Sequence, residues 1–258
     1  MAVKLEKQDG VGVIVMDRPP ANSYDVAFAR ELGSVIDDIR LDEEIGAVVL
    51  TSASPKFFSA GADVGAFKAG SPRSRWMTVL LMHEVLRKME NTPMIFIAAI
   101  NGHCLGGGLE IALACDLRFA SNGEYRMGLP EVNLGLFPGN GGTQRLPRIV
   151  GKSKGLELII KAHTFSAEGA EKLGVIDRLF ESAELCTTSA IEYAQELAAG
   201  PREAIGRAKI TTTLGFDAPL DLGNALEREA IGRIFVSEDA EEGINAFFEK
   251  RKPEFKGR

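Results

Sequence analysis

The sequence predicts an α/β fold that ends in a helical region. Three observations carry this: short, continuously apolar segments in the first hundred residues, amphipathic helical segments between them, and an almost wholly helical pattern after residue 184. Strands that are apolar throughout, rather than alternately, belong to parallel βαβ units covered on both faces. Val11-Gly12-Val13-Ile14-Val15-Met16 is β-branched-rich and stops at Asp17-Arg18-Pro19-Pro20, as a strand ended by prolines. Across residues 24–40, Val26, Ala29, Leu32, Val35, Ile36 and Ile39 recur at helical spacing. Residues 45–51 form a second buried strand, and residues 52–62, rich in Ser, Ala and Gly, a loop. Residues 75–90 read as another helix, with Trp76, Val79, Leu80, Val85, Leu86 and Met89 on its apolar side. Trp76 is expected to pack there rather than to contact substrate. The third strand, residues 94–100, runs straight into Asn101-Gly102. Four helical segments follow at 184–199, 202–214, 220–235 and 239–250. Gly200-Pro201 marks the expected boundary, because glycine ends helices and proline starts them. The chain therefore divides into an α/β core, 1–200, and a helical region, 201–258.

At roughly 100–200 residues per domain, 258 residues make one large domain, or one domain with an appendage. With 45% hydrophobic and 26% charged residues the composition is that of a globular protein and excludes intrinsic disorder. Lys and Arg number 30 against 36 Asp and Glu, a net charge of −6. That argues against a general nucleic-acid binder, which needs cationic side chains to displace counterions. Cys104, Cys115 and Cys186 are odd in number and lack C-x-x-C spacing, against a disulfide framework or zinc site and for a reducing compartment. The three histidines, His83, His103 and His163, do not cluster, so neither a metal site nor a catalytic triad is expected. The longest apolar run is residues 94–100, far short of the roughly 18 a membrane span needs. The N-terminus has no signal or transit pattern. A soluble, cytoplasmic protein is expected.

Glycines cluster at Phe57-Phe58-Ser59-Ala60-Gly61-Ala62-Asp63, at Asn101-Gly102 with Gly106-Gly107-Gly108, and at Pro138-Gly139-Asn140-Gly141-Gly142. The first two follow strands, where ligands of open α/β sheets bind. No dinucleotide fingerprint, P-loop or nucleophile elbow is present. A lone glycine cluster is usually a tight turn. A glycine run that opens a helix, however, frees N–H groups to hold an oxyanion, and Gly106-Gly107-Gly108 before Leu109-Glu110-Ile111 is such a start. Glu110 falls in its first turn, a position the helix dipole favours for any carboxylate. Glu131 follows Pro130 and reads equally well as a capping carboxylate. Spacing alone does not bring the two glutamates together.

Taken in order, Ser59-Ala60-Gly61-Ala62-Asp63, Asn101-Gly102, Gly106-Gly107-Gly108-Leu109-Glu110, Cys115-Asp116, Pro130-Glu131 with Gly135, and Pro138-Gly139-Asn140-Gly141-Gly142-Thr143-Gln144-Arg145 resemble the enoyl-CoA hydratase/isomerase (crotonase) family. The resemblance spans nearly the whole chain. It implies a crotonase-like spiral of ββα units with a C-terminal helical domain, assembled as homotrimers or hexamers, and an acyl-CoA thioester as substrate. It further implies that the backbone N–H groups of Ala62 and Gly107 form an oxyanion hole, and that Ser59, Ala60, Gly61, Asp63 and Val64 line the CoA site. Hydratases of the family carry two carboxylates, matched here by Glu110 and Glu131; many isomerases and decarboxylases keep one or neither.

Hydration of a conjugated thioester needs a base for water at C3 and an acid for C2. Two neighbouring carboxyls can supply both because their pKa values are pushed apart. The resemblance assigns Glu110 to water and Glu131 to the C2 proton. The expected activity is a hydro-lyase reaction in fatty acid metabolism, converting 2-enoyl-CoA to 3-hydroxyacyl-CoA without a cofactor, since coenzyme A is part of the substrate. The alternatives are a Δ3,Δ2-enoyl-CoA isomerase, a hydratase or hydrolase of cyclic or aromatic-pathway acyl-CoA, or an RNA-binding homologue, the last disfavoured by the net charge. Two departures from the family pattern are Pro20-Ala21-Asn22-Ser23-Tyr24, in place of the commoner Asn-Ala-Leu ending, and His103-Cys104. Residues 68–87, where the acyl tail is expected to be read, match no particular subfamily.

Overall fold

A computed structural model describes all 258 residues. Successive turns of its chain lay a long strand in one sheet and a short strand in another before adding helix. β1 (Val3–Gln8) and β2 (Val11–Met16) open the fold as an antiparallel hairpin, followed by α1 (Val26–Leu41). The first full turn is β3 (Ala47–Ser52), β4 (Phe57–Ser59), α2 (Val64–Ala69) and α3 (Pro72–Asn91). The second is β5 (Ile95–Ile100), β6 (His103–Leu105) and α4 (Gly107–Leu113). The third is β7 (Leu117–Ser121), β8 (Met127–Gly128) and a 3-10 turn, Glu131–Leu134. Then come α5 (Gly142–Val150), α6 (Lys152–Ile160), β9 (Thr164–Phe165), α7 (Ala167–Lys172), β10 (Arg178–Phe180) and α8 (Ala183–Ala198). The tail is α9 (Arg202–Phe216), α10 (Leu220–Ile234) and α11 (Glu238–Glu249). No helix is long and apolar enough to cross a membrane.

The larger sheet has the order β1-β2-β3-β5-β7-β10 and is parallel from β2 onward. Both of its faces are covered, which is why its strands are apolar throughout. Val11, Val13, Ala47, Val49, Ile97 and Ala99 meet the small residues Cys186, Ala190 and Ala194 of α8. Ile14, Met16, Val48, Leu50, Phe96 and Ile100 point the other way, toward α1, α3 and the smaller sheet. That sheet has the order β4-β6-β8-β9, with the first three strands parallel. Asp25 caps α1 by accepting from the Phe28 N–H at 2.9 Å, and this sets the helix start two residues later than the periodicity suggested.

Two expectations are corrected. The loop at 52–62 contains β4, a strand of 3 residues too short to show any period. Trp76 is 64% exposed and packs against no core. α3 begins at Pro72 behind a Ser71 cap and buries Thr78, Met82, Val85, Leu86 and Met89, so its inward face is turned from the stripe that began at Trp76.

In the tail, α9 is seated on the core. Gly206 packs so closely that a Cβ there would lie 2.3 Å from the Pro93 carbonyl oxygen. The buried Lys209 donates to the carbonyls of Met89 (2.8 Å) and Met94 (2.7 Å) and pairs with Asp116 at 2.8 Å.

Candidate active site

The carboxyl ends of β4, β6 and β8 lie side by side in the smaller sheet and deliver three segments to one place. β4 leads to residues 60–63, β6 to Gly106 and α4, and β8 to Pro130 and Glu131. Tyr24 pairs with the first segment as a parallel bridge to Ala62. Its N–H donates to the Gly61 carbonyl and its carbonyl accepts from the Asp63 N–H, both at 2.9 Å. A parallel pairing of this kind uses the groups flanking the bridged residue, so the Ala62 N–H faces away and donates to no protein acceptor. The Gly107 N–H is the first of α4 and has no intrahelical partner either. Gly61 brings the two segments together: its φ is +88°, and a Cβ on it would stand 2.8 Å from the Gly107 nitrogen. Only glycine meets both conditions.

The rest of the first segment is held from beneath. Ser59 is fully buried, donating to the Asn22 carbonyl at 2.8 Å and accepting from the Gly61 N–H at 3.1 Å. It shapes the loop rather than facing solvent. Asp63 caps α2 through the Ala66 N–H at 3.0 Å. Ala60 is partly exposed and Val64 is exposed beside them.

The two glutamates sit in unequal surroundings. Glu110 is 1% exposed, and its Oε1 accepts from the backbone N–H groups of Asn140 (2.7 Å) and Gly142 (2.8 Å). Gly142 is the first residue of α5, so the carboxylate also lies at that helix's positive end. Burial raises the pKa of Glu110, while these N–H donors and the Arg145 charge act against the rise. Glu131 lies on the other side of the glycine turn, its Oε1 3.1 Å from where a Cβ on Gly106 would be. Burial, and then the charge of Glu110, push its pKa up to about 7. Its Oε2 is buried without a hydrogen-bond partner. The structure thus brings Ala62, Gly107, Glu110 and Glu131 around one point, from sequence positions up to 69 residues apart, counting from Ala62 to Glu131.

A family model described as Enoyl-CoA hydratase/isomerase matches residues 6–258. The chain belongs to the enoyl-CoA hydratase/isomerase family. It is 40% identical to the Short-chain-enoyl-CoA hydratase of Clostridium acetobutylicum over 99% of this chain and 98% of that one. It is 34% identical to the mitochondrial Methylglutaconyl-CoA hydratase of Homo sapiens, over 98% of this chain and 75% of the relative. The crystal structure of an enoyl-CoA hydratase from Bacillus anthracis matches with a TM-score of 0.95 at 33% identity, over 100% of both chains. The two-sheet spiral with its helical tail is therefore the crotonase-like fold that the resemblance implied.

In this enoyl-CoA hydratase/isomerase family chain, two side chains left unassigned by the sequence reading complete the surroundings of Glu110. Asn140 donates from its backbone to Glu110 and from its side-chain amide to the Tyr24 hydroxyl. Its carbonyl accepts from Arg145 at 2.8 Å, and Arg145 is in turn paired with Glu90 at 2.7 Å. His83, on α3, donates to the neighbouring Gly139 carbonyl at 2.7 Å. Asn140 was visible in sequence as part of a glycine-rich motif, and Tyr24 as a departure from the family pattern. Neither signal specified a contact, because the partners lie 30 and 116 residues away.

Proposed function

We propose that this chain hydrates 2-enoyl-CoA thioesters to 3-hydroxyacyl-CoA, with Glu110 as the base toward water and Glu131 as the acid toward C2. The observation that carries the reading is the pair of carboxyls in unequal environments, Glu110 buried and Glu131 half-buried, beside two unpaired backbone N–H groups. Glu110 is held by two N–H donors and a nearby guanidinium, which favours its ionised form. Glu131 has no such donors on Oε2 and a pKa pushed up to about 7, so about half of it carries a proton at neutral pH and can act as the acid. In the reaction Glu110 takes a proton from water as the oxygen bonds to C3. The C2=C3 electron pair moves toward the thioester, and its oxygen, now enolate-like, is held by the N–H groups of Ala62 and Gly107. Glu131 then delivers its proton to C2 as the carbonyl reforms. The pair starts and ends with one proton, which returns to Glu131 before the next turnover. Each such N–H donor is worth roughly 2.7–4 kcal/mol to the transition state.

Residues 59–64 would line the coenzyme A moiety, with Ser59 acting through the shape of the loop. No separate cofactor enters the chemistry. Short acyl chains are the first choice of substrate, on the likeness to the Clostridium acetobutylicum protein. A homotrimer or hexamer would cover the apolar side chains exposed along the tail, among them Phe216, Leu220, Phe235 and Phe248. The test is incubation with crotonyl-CoA and mass analysis of the product. A thioester heavier by one water supports hydration. An isomer of unchanged mass, or free coenzyme A, would replace it with the isomerase or hydrolase reading.

A further inference from the structure

Tyr24 touches both segments that supply the unpaired N–H groups, and also Asn140, each through a different group, and the proposed reaction assigns it no role. Its main chain pairs on both sides of Ala62, by the 2.9 Å bonds to Gly61 and Asp63. Its ring lies against Gly107, where a Cβ would come within 2.3 Å of Cε1 and 3.0 Å of the hydroxyl oxygen. Its hydroxyl accepts from the side-chain amide of Asn140, whose own backbone N–H holds Glu110 at 2.7 Å. The residue is 2% exposed. A leucine would fill much of that space, whereas burying a phenol is costly unless the hydroxyl is bonded. Here its bond goes to one of the two residues whose backbone N–H groups anchor Glu110.

We propose that Tyr24 is a positioning residue that sets the spacing of the two oxyanion-hole donors with its backbone and ring, and the orientation of the Asn140–Glu110 anchor with its hydroxyl. The inference rests on the hydratase reading and deepens it. The hole works only while the Ala62 and Gly107 N–H groups stay aimed at the point where charge develops. A single residue paired to one segment and packed on the other couples them. Displacements of about 1 Å at such a site cost on the order of 10²-fold in rate. Because the supports act on charge that develops during reaction, their loss falls on kcat more than on KM.

Two variants separate the ring from the hydroxyl. Tyr24→Phe keeps the ring on Gly107 and removes the acceptor for Asn140. Tyr24→Leu removes both. Turnover is measured with crotonyl-CoA. The state of the hole is measured with acetoacetyl-CoA, whose enolate, when stabilised in such a site, absorbs in the near ultraviolet. Tyr24→Phe is expected to lower kcat about tenfold, the effect of one lost hydrogen bond, with KM within about twofold and the enolate band retained. Tyr24→Leu is expected to lower kcat by on the order of 10²-fold and to abolish the band while still binding the ligand. Thermal melts accompany both, and the Phe variant decides alone if the Leu variant does not fold. Wild-type kcat in Tyr24→Phe, or an undiminished band in a folded Tyr24→Leu, overturns the proposal. Failure of the wild type to turn over crotonyl-CoA while forming the band would instead overturn the hydratase reading, leaving the band in Tyr24→Leu to judge the ring.

Discussion

One carboxyl, Glu131, carries the consequences most open to measurement. Burial and the charge of Glu110 raise its pKa from 4.5 to about 7. The protonated form is the one that serves hydration, so kcat/KM should fall as pH rises through about 7, tenfold per unit beyond it. A rate that climbs through that range would contradict the assignment of Glu131 as the acid. The same shift has a stability consequence of definite sign. Between pH 4.5 and 7 the unfolded chain releases this proton while the folded chain keeps it, so wild-type stability declines as pH rises. Glu131→Gln is free of that loss. Its melting point should gain on the wild type from pH 4.5 to 7 and then level off, by an amount equivalent to as much as about 3 kcal/mol. Equal pH dependence in the two proteins would show that the carboxyl is not displaced by its surroundings.

At the scale of elements, the site depends on how closely short segments approach one another. Gly107→Ala would drive a methyl into the Tyr24 ring, at 2.3 Å from Cε1. We expect destabilisation of about 1–3 kcal/mol and loss of turnover, measured by denaturant unfolding and steady-state kinetics. The seating of α9 is a second case. Lys209→Ala would leave the half-buried Asp116 without its cation and should cost about 3 kcal/mol, the low end for a buried pair; an unchanged unfolding midpoint would show the pair to be dispensable. These approaches also explain what the sequence did and did not disclose. The strands at Val11–Met16 and Ile95–Ile100 are long enough to read as continuous apolar runs, and the helix at Val26–Leu41 is long enough to show a period, and they were legible. The strands that carry the site, β4, β6 and β8, have 3, 3 and 2 residues and leave no periodic trace. The loops that follow them were legible only as glycine clusters and through the family resemblance. Trp76 misled because α3 extends beyond its packing partners, so an apolar residue on it does not have to face inward. Tyr24 and Asn140 were unreadable as a pair, since nothing local encodes a contact across 116 residues.

For the molecule as a whole, the spiral gives each turn a strand in the larger, buried sheet and a strand in the smaller one, whose carboxyl ends converge. The larger sheet and its helices supply the burial, and the smaller sheet spends little length on structure and much on placing loops. Phe216, Leu220, Phe235, Phe247 and Phe248 are large apolar side chains left exposed on or beside the tail helices, and the proposed assembly would cover them. Light scattering at low micromolar concentration should give three or six chain masses; a single chain mass would contradict the proposed assembly. On the proposed reaction, this architecture sets Glu110 and Glu131 about one bound enoyl thioester. The most direct test is the rate at which the conjugated enoyl-thioester absorbance of crotonyl-CoA is lost with wild type, Glu110→Gln and Glu131→Gln, each verified as folded by thermal melting. Rapid loss is expected with wild type, and a fall in kcat of ~10²-fold or more for each variant. Hydration by either variant at a rate within about twofold of wild type would contradict the proposed reaction.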